Sequence, residues 1–163
     1  MSDRVAVFNN GVIQQIDAAD RMYETPANRF VAGFIGDSTL LRGTVRATQV
    51  DNDSERCGIV LTDGRVLTGI NVNGAAVGAA VQAGIRPERI VLHAQGLSDR
   101  SNVLQARVAS VLYFGDHLRL LCSVGEGQSD STVKLPLAGQ AAPRAGDVVW
   151  LELPPEHTRI YSL

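Results

Sequence analysis

The sequence predicts a mainly β protein, a small barrel or sandwich preceded by a short ββαα segment. Its 163 residues are 45% hydrophobic and 20% charged, which is enough apolar material for a packed core. From about residue 40 onward, short alternating apolar runs recur between glycine, asparagine, aspartate and proline. This spacing is typical of a small all-β domain. The first 36 residues follow a different pattern, with two strand-like runs and then two helix-like runs.

The N-terminal segment reads as two strands, residues 5–8 and 12–16, joined by a turn at residues 9–11. A helix is predicted from Pro26 to Ile35, because proline suits a first helical position and the apolar residues of this stretch share one face. Two strands and two helices cannot bury both faces of a sheet. We therefore expect the end of a larger domain, which either pairs with a second copy or folds back on the barrel.

The remaining strands are predicted in order from their alternation. Residues 41–49 place Leu41, Val45 and Ala47 on one face, and Asp63-Gly64 predicts a two-residue type I′ hairpin between residues 58–62 and 65–68. Further strands are predicted at residues 79–84, 104–112, 118–124, 132–137, 148–153 and 157–161. Trp150 is predicted to lie in the core.

A weak internal repeat suggests two similar halves. The aligned pairs are Gly78 with Gly146, Val81 with Val149, Ile85 with Leu153, Pro87 with Pro155, Glu88 with Glu156, Leu41 with Leu104 and Val45 with Val108. Each half would be a strand, a hairpin and a closing strand that ends in a Pro-Glu corner. So few matches also arise by chance in β sequences, so duplication and coincidence both stay open.

Composition excludes several classes of protein. The net charge is −2 and aromatic residues make up 5%, so neither a basic face nor a stacking platform for nucleic acid is expected. Cys57 and Cys122 lack CxxC spacing, and the three histidines are far apart, so we expect no metal and two buried, reduced thiols. No apolar run approaches the ~20 residues of a spanning helix, and we expect a cytoplasmic protein.

No catalytic residue and no cofactor site are predicted. A phosphate-binding loop needs a glycine-rich turn with a lysine, but the single lysine, Lys134, lies between Val133 and Leu135 with no glycine run nearby. No nucleophile–base pair or carboxylate pair is evident either. The chain is therefore not expected to bind or hydrolyse ATP, or to be an enzyme.

Three short segments carry the candidate ligand or interface residues. In Gly84 to Glu88, proline holds Arg86 extended beside Glu88, which is either a pair capping the barrel edge or an arginine for a ligand or subunit contact. Asp116 and His117 are predicted on a loop tip after Gly115, as an exposed hairpin or as a site. In the last segment, Pro154-Pro155 forces a corner that carries Glu156 and His157.

These segments carry a family resemblance. Residues 3–36, with Tyr23, Pro26, Asn28 and the run from Phe30 to Gly36, resemble the end of the nucleotide-binding domain in the ATP-binding subunits of ABC importers. The GIRPE, YFGDH and GDVVWLELPPEH segments resemble the transport-associated OB domain of the same subunits. The resemblance implies an OB-like barrel, with a nucleotide-binding remnant at residues 1–37 and the OB domain at residues 38–163.

The resemblance also implies a function. It indicates a regulatory and dimerisation domain of an importer of the polyamine (spermidine/putrescine) type, with ATP and Mg²⁺ bound elsewhere in the parent. The parent would pair with permease subunits on the cytoplasmic face of the inner membrane. The alternative is a small-molecule sensor, for a polyamine or an oxyanion, that inhibits an iron(III)- or sugar-type importer.

Overall fold

The computed structural model describes residues 3–51, 54–137 and 142–163. The chain begins with an N-terminal unit of four elements: β1 (Val5–Asn9), β2 (Val12–Asp17), α1 (Ala19–Glu24) and α2 (Arg29–Ile35). The first half follows, with β3 (Thr39–Asp51), β4 (Ser54–Leu61), β5 (Val66–Asn71), β6 (Ala80–Ile85), a first corner (Pro87–Arg89) and β7 (Val91–His93). The second half has β8 (Val103–Tyr113), β9 (His117–Ser123), β10 (Ser131–Pro136), β11 (Val148–Glu152), a second corner (Pro155–His157) and β12 (Arg159–Ser162).

The N-terminal unit has the predicted ββαα order. Asn10 and Gly11 have φ values of 50° and 76°, as a two-residue type I′ connection requires, and they join β1 to β2. The second helix begins at Arg29 and not at Pro26, because the Asn28 side chain accepts a hydrogen bond from the Val31 N–H at 3.0 Å and caps the helix.

The two halves exchange their last strands. The first half closes a barrel in the order β12-β5-β4-β3-β6, so its final member comes from the second half. The second half forms a sheet in the order β10-β9-β8-β11-β7, whose last strand comes from the first half. The two halves therefore share one core and cannot separate without each losing a strand. A mainly β, barrel-like fold is thus confirmed.

The internal repeat is confirmed as a repeat of backbone structure. The register of β3 shifts after Val45, and that of β8 shifts after Val108. The Gly78 N–H donates to the Val45 carbonyl at 2.8 Å, and the Gly146 N–H donates to the Val108 carbonyl at 2.7 Å. Both glycines have a left-handed φ, +88° and +92°, which favours glycine. Equivalent residues thus make equivalent bonds in both halves.

One turn prediction and one prediction of a strand face are wrong in detail. Only Gly64 has positive φ at the β4–β5 connection, and the Leu61 N–H donates to the Arg65 carbonyl at 2.8 Å, so this bonded pair encloses three residues, 62–64, and not two. The register shift after Val45 turns the rest of β3 away from the core, so Ala47 is exposed.

Two further predictions fail in the second half, and one strand of its sheet was not predicted. Trp150 is half-buried, because the alternation of β11 turns Val149 and Leu151 to the core instead. His157 belongs to the second corner, and β12 begins at Arg159. The three-residue strand β7 was not predicted, since it is too short to show an alternation.

The shared core holds both cysteines as free, buried thiols. Burial raises the pKa of each thiol to about 11, so both are protonated near neutral pH. The prediction of two buried thiols is confirmed. None of the helices in the described part of the chain has the length and apolarity to cross a bilayer.

Candidate functional site

The first corner holds the best-defined polar site of the chain. Arg86 directly follows β6, and Pro87 restricts it to an extended backbone with φ −68° and ψ 136°. The residue is 8% exposed, so its guanidinium is taken out of water. Burial of an arginine is tolerated only where its N–H groups find acceptors.

The acceptors of Arg86 all come from the N-terminal unit and the segment that follows it. Its Nη1 atom lies 2.8–3.0 Å from four oxygens: the Ala32, Gly36 and Asp37 carbonyls and the Ser38 hydroxyl. Its Nη2 atom donates to the Tyr23 carbonyl at 3.1 Å, and the guanidinium carbon lies 4.2 Å from the centre of the Tyr23 ring.

These acceptors explain why an arginine stands there. The last carbonyls of a helix have no partner within it and carry its negative dipole end. Ala32 and Gly36 belong to the end of α2, and Tyr23 lies near the end of α1. Arg86 therefore caps both helices and joins the N-terminal unit to the barrel. We call this set of contacts the Arg86 clip.

The predicted Arg86–Glu88 pair does not form. Within residues 3–51, 54–137 and 142–163, Arg86 makes no salt bridge, and Glu88 instead accepts a hydrogen bond from the Tyr23 hydroxyl. Both side chains contact Tyr23: Arg86 bonds its carbonyl and lies over its ring, whereas Glu88 bonds its hydroxyl. Burial, followed by the hydrogen bond to Glu88, raises the pKa of Tyr23 to about 12.

Two more arginines hold the end of α1. Arg89 pairs with the Glu24 carboxylate at 2.9 Å, and Arg159 Nε donates to the Glu24 carbonyl at 2.8 Å. The N-terminal unit of this chain thus lies folded back on its own barrel, which is one of the two arrangements expected from the sequence.

A cleft opens between the unit and the barrel at this point. Because Arg159 pairs with Gly84 across β12 and β6, His157 and Arg86 come to the same end of the two strands. We call this space the arginine cleft; Tyr23, Glu24, Arg86, Arg89, His157, Arg159 and Tyr161 are among its lining residues. Glu156 is exposed on the second corner and does not line the cleft.

Asp116 and His117 lie elsewhere, at the tip of the β8–β9 hairpin. His117 Nδ1 is 2.6 Å from Asp116 Oδ1, and this hydrogen bond holds the pKa of the Asp116 carboxyl below its usual range. The Phe114 ring stacks on the His117 ring with centroids 5.1 Å apart, and the Arg119 guanidinium lies 4.8 Å from the centre of the Phe114 ring.

One residue connects the hairpin tip to the Arg86 clip. The Asp37 carbonyl accepts from Arg86 at 3.0 Å, and the Asp37 carboxylate pairs with Arg119 at 3.2 Å. Neither Asp37 nor Arg119 was predicted from the sequence as a functional residue. Arg119 stands two residues after His117 on one strand, so it shares the face of His117, and that alternation was the available signal.

In the part of the chain that the structure describes, no three residues among histidine, cysteine, aspartate and glutamate are grouped as metal ligands are. Lys134 lies in β10 opposite Arg119 of β9.

Comparison with known proteins agrees with the sequence motifs. Residues 83–160 match the model of the TOBE domain. Over 129 residues, 78% of this chain, the sequence is 41% identical to the spermidine/putrescine import ATP-binding protein PotA of Rubrobacter xylanophilus, covering 32% of that protein. It is 35% identical over 98% of the chain to PotA of Frankia alni, covering 36% of that protein. The chain thus spans about a third of the length of these relatives.

The fold has a counterpart among solved structures. A crystal structure of the cytoplasmic molybdate-binding protein ModG matches 76% of this chain and 95% of its own with a TM-score of 0.66 and 16% identity. At that identity the match supports the OB-like fold alone. By its sequence and its motifs, the chain carries a TOBE domain at residues 83–160 and is similar to about a third of the length of the ATP-binding proteins named for spermidine/putrescine import.

Proposed function

We propose that this chain is a regulatory and dimerisation module of a polyamine importer's ATP-binding subunit. The parent would couple ATP hydrolysis to uptake together with permease subunits, at the cytoplasmic face of the inner membrane. The similarity to the spermidine/putrescine import proteins supports the substrate class. The domain division at residues 37 and 38 follows from the same resemblance.

The Arg86 clip is the observation that carries a regulatory role. Its five hydrogen-bond contacts tie the segment resembling the end of a nucleotide-binding domain to the barrel that carries the TOBE match. A displacement of the N-terminal unit would therefore move the barrel with it. Closure of the ATP-binding domains would then change the distance between two barrels, and paired barrels would resist or favour that closure.

The hairpin tip is the surface that we assign to a second copy. Leu112, Tyr113 and Phe114 are 46%, 72% and 49% exposed, although aromatic residues of this size are usually buried. Asp116 lies beside them on the same tip, and Arg119 and Lys134 lie near it. Because both signs of charge are present on one patch, two copies related by a two-fold axis would place unlike charges opposite each other.

Sedimentation of the chain tests this proposal. We expect a dimer at roughly tens of micromolar, and a monomer after Tyr113→Ser combined with Phe114→Ser. Val50→Ser is the matched control, because Val50 is a 79% exposed apolar side chain on β3. A wild-type monomer at this concentration contradicts the dimerisation role.

We propose further that ATP binds elsewhere in the parent. No lysine-bearing glycine loop is present in the sequence, and Lys134 extends from a paired strand. The chain should show neither ATP binding in calorimetry nor phosphate release. Hydrolysis by the chain alone would overturn this assignment.

Regulation by a small molecule is the second candidate function. The charge of the arginine cleft favours an anion over a polyamine cation, because its lining contains three arginines and a single carboxylate, that of Glu24.

A further inference from the structure

Asp37 contacts both the Arg86 clip and the hairpin tip. It lies in the short link, residues 36–38, between α2 and β3. Its carbonyl accepts a hydrogen bond from Arg86 Nη1 at 3.0 Å, and its carboxylate lies 3.2 Å from Arg119 Nη2. Because the main chain of Asp37 is bonded into the clip, its carboxylate moves with the end of α2.

The barrel end of this link is fixed at Thr39, the first residue of β3. Thr39 is 3% exposed, and its hydroxyl donates to the Thr132 carbonyl at 2.7 Å and accepts from the Thr132 N–H at 3.0 Å. These two bonds hold the start of β3 to β10, which pairs with β9 of the hairpin. A shift of the N-terminal unit relative to the barrel is therefore absorbed in residues 36–38, where Asp37 lies.

The position of Arg119 depends on the Asp37 carboxylate. The residue opposite Arg119 on β10 is Lys134, and like charges opposite each other on paired strands repel. Within the described ranges, Asp37 is the only carboxylate at ion-pair distance from Arg119, whose Nε atom is buried without a hydrogen-bond acceptor. Loss of the Asp37 carboxylate would leave Arg119 beside Lys134 without an ion-pair partner.

The Phe114 ring connects Arg119 to His117. The centre of this ring lies 4.8 Å from the guanidinium carbon of Arg119, and the ring stacks on that of His117 with an angle of 6° between the planes. His117 Nε2, like Arg119 Nε, is buried without a hydrogen-bond partner in the part of the chain that is described. Such nitrogens raise the free energy of the arrangement that buries them. The present arrangement of the tip therefore depends on contacts that offset this penalty, among them the pair of Asp37 with Arg119.

We propose that Asp37 couples the position of the N-terminal unit to the conformation of the hairpin tip. While the Arg86 clip is closed, the Asp37 carboxylate holds Arg119 against the Phe114 ring, and the ring stays stacked on the histidine. A shift of the N-terminal unit withdraws the carboxylate, so Arg119 turns away from Lys134. The Phe114 ring then loses its cation and moves, and water reaches both buried nitrogens.

The consequence for pairing rests on the proposed function, because Phe114 belongs to the surface that we assign to a second copy. While Phe114 is held, its ring and that of Tyr113 form an ordered apolar surface. Once Arg119 is released, the Phe114 ring is mobile, and pairing has to order it again. Displacement of the N-terminal unit should therefore weaken the pairing of two barrels.

Nuclear magnetic resonance of the His117 ring in the full chain tests the coupling. This ring is connected to Asp37 through Phe114 and Arg119. Asp37→Asn removes the charge and keeps the backbone bond to Arg86, and we expect it to shift the His117 ring signals. Arg119→Gln should shift them as well. Adding Asp37→Asn to Arg119→Gln should cause no further shift, because the two substitutions remove the same ion pair.

Glu24→Gln provides the matched control, because Glu24 is another exposed carboxylate of the N-terminal unit and pairs with Arg89 of the first corner at 2.9 Å. It removes a comparable ion pair and should leave the His117 ring signals unchanged. Unchanged signals in Asp37→Asn, an equal shift in Glu24→Gln, or additive shifts in the double variant would each overturn the coupling.

Sedimentation of the same variants separates this proposal from dimerisation. Asp37→Asn should weaken the dimer by up to about fivefold, which is the contribution of one exposed ion pair, and Glu24→Gln should not weaken it. If the wild-type chain is a monomer, the dimerisation role fails, and the His117 ring signals still decide the coupling. A dimer in which Asp37→Asn changes neither the affinity nor the His117 signals would overturn the coupling alone.

Discussion

The two corners of the chain occupy equivalent places in the repeat but do different work. Pro87 and Pro155 begin matching turns, with Glu88 and Glu156 next in each. The preceding residue differs: Arg86 reaches across to two helices, whereas Pro154 has no side-chain donor. Arg86, together with Arg89 and Arg159, therefore holds the N-terminal unit at one end of a nearly symmetric scaffold. The repeated fold is made asymmetric by departures from the repeat such as Arg86.

The largest loss of stability is expected on substitution of Arg86, the residue that distinguishes the two corners. Arg86→Met should lower the free energy of unfolding by about 3–5 kcal/mol, because helix carbonyls lose their buried, charged donor. Chemical denaturation measures the loss, and limited proteolysis should cleave the N-terminal unit first. Pro154→Ala at the equivalent position is the control and should cost less than about 1 kcal/mol. Equal losses at both positions would contradict the asymmetry.

A smaller loss of stability is expected at Gly78 and Gly146, the equivalent glycines of the two halves. Gly78→Ala and Gly146→Ala should each cost about 1–2 kcal/mol, because both positions have a left-handed φ that disfavours a Cβ atom. Neither Cβ would meet another atom within 4 Å, so backbone conformation alone sets the cost. Urea denaturation of the two variants should give similar values. A difference of more than about 1 kcal/mol would show that the two glycines are not equivalent.

The smallest change in stability is expected at the two equivalent glutamates, Glu88 and Glu156. Glu88→Gln should cost about 0.5–1 kcal/mol through its weakened bond to Tyr23, whereas Glu156→Gln should change the stability by less than about 0.5 kcal/mol. Glu88→Gln should also lower the raised pKa of Tyr23, which an ultraviolet pH titration follows. An unchanged Tyr23 titration would mean that burial alone causes the shift.

The same tyrosine gives the direction of a pH dependence. Its pKa rises from 10.0 to about 12, so the fold favours the neutral phenol. The stability that this contributes is complete below pH 10 and is lost as the pH rises to about 12. Glu88→Gln should lower the pH at which this stability is completely lost, because it lowers the pKa of Tyr23 in the folded protein.

Local features of the fold could be predicted from the sequence, because they depend on neighbouring residues. The ββαα order, the turn at Asn10-Gly11 and most of the strands follow from periodicity and turn residues. The alignment of Pro87 with Pro155 already suggested the repeat. The errors at Asp63 and Ala47 have a common cause. One additional residue in the turn at Asp63, and one in the bulge before Ala47, changes the course of the backbone, and the pattern of apolar residues does not reveal it.

The sequence alone determined the class of fold, the proline corners and the kinship with importer ATP-binding subunits, and it suggested the repeat, since short-range patterns and motifs encode these features. Only the tertiary structure decided that the halves exchange strands, that Arg86 bonds two helices and not Glu88, and that Asp37 joins the clip to the hairpin tip. Each of these contacts joins residues about 50 or more positions apart along the chain. Which long side chain meets which acceptor depends on the packing of whole elements, and no local pattern specifies it.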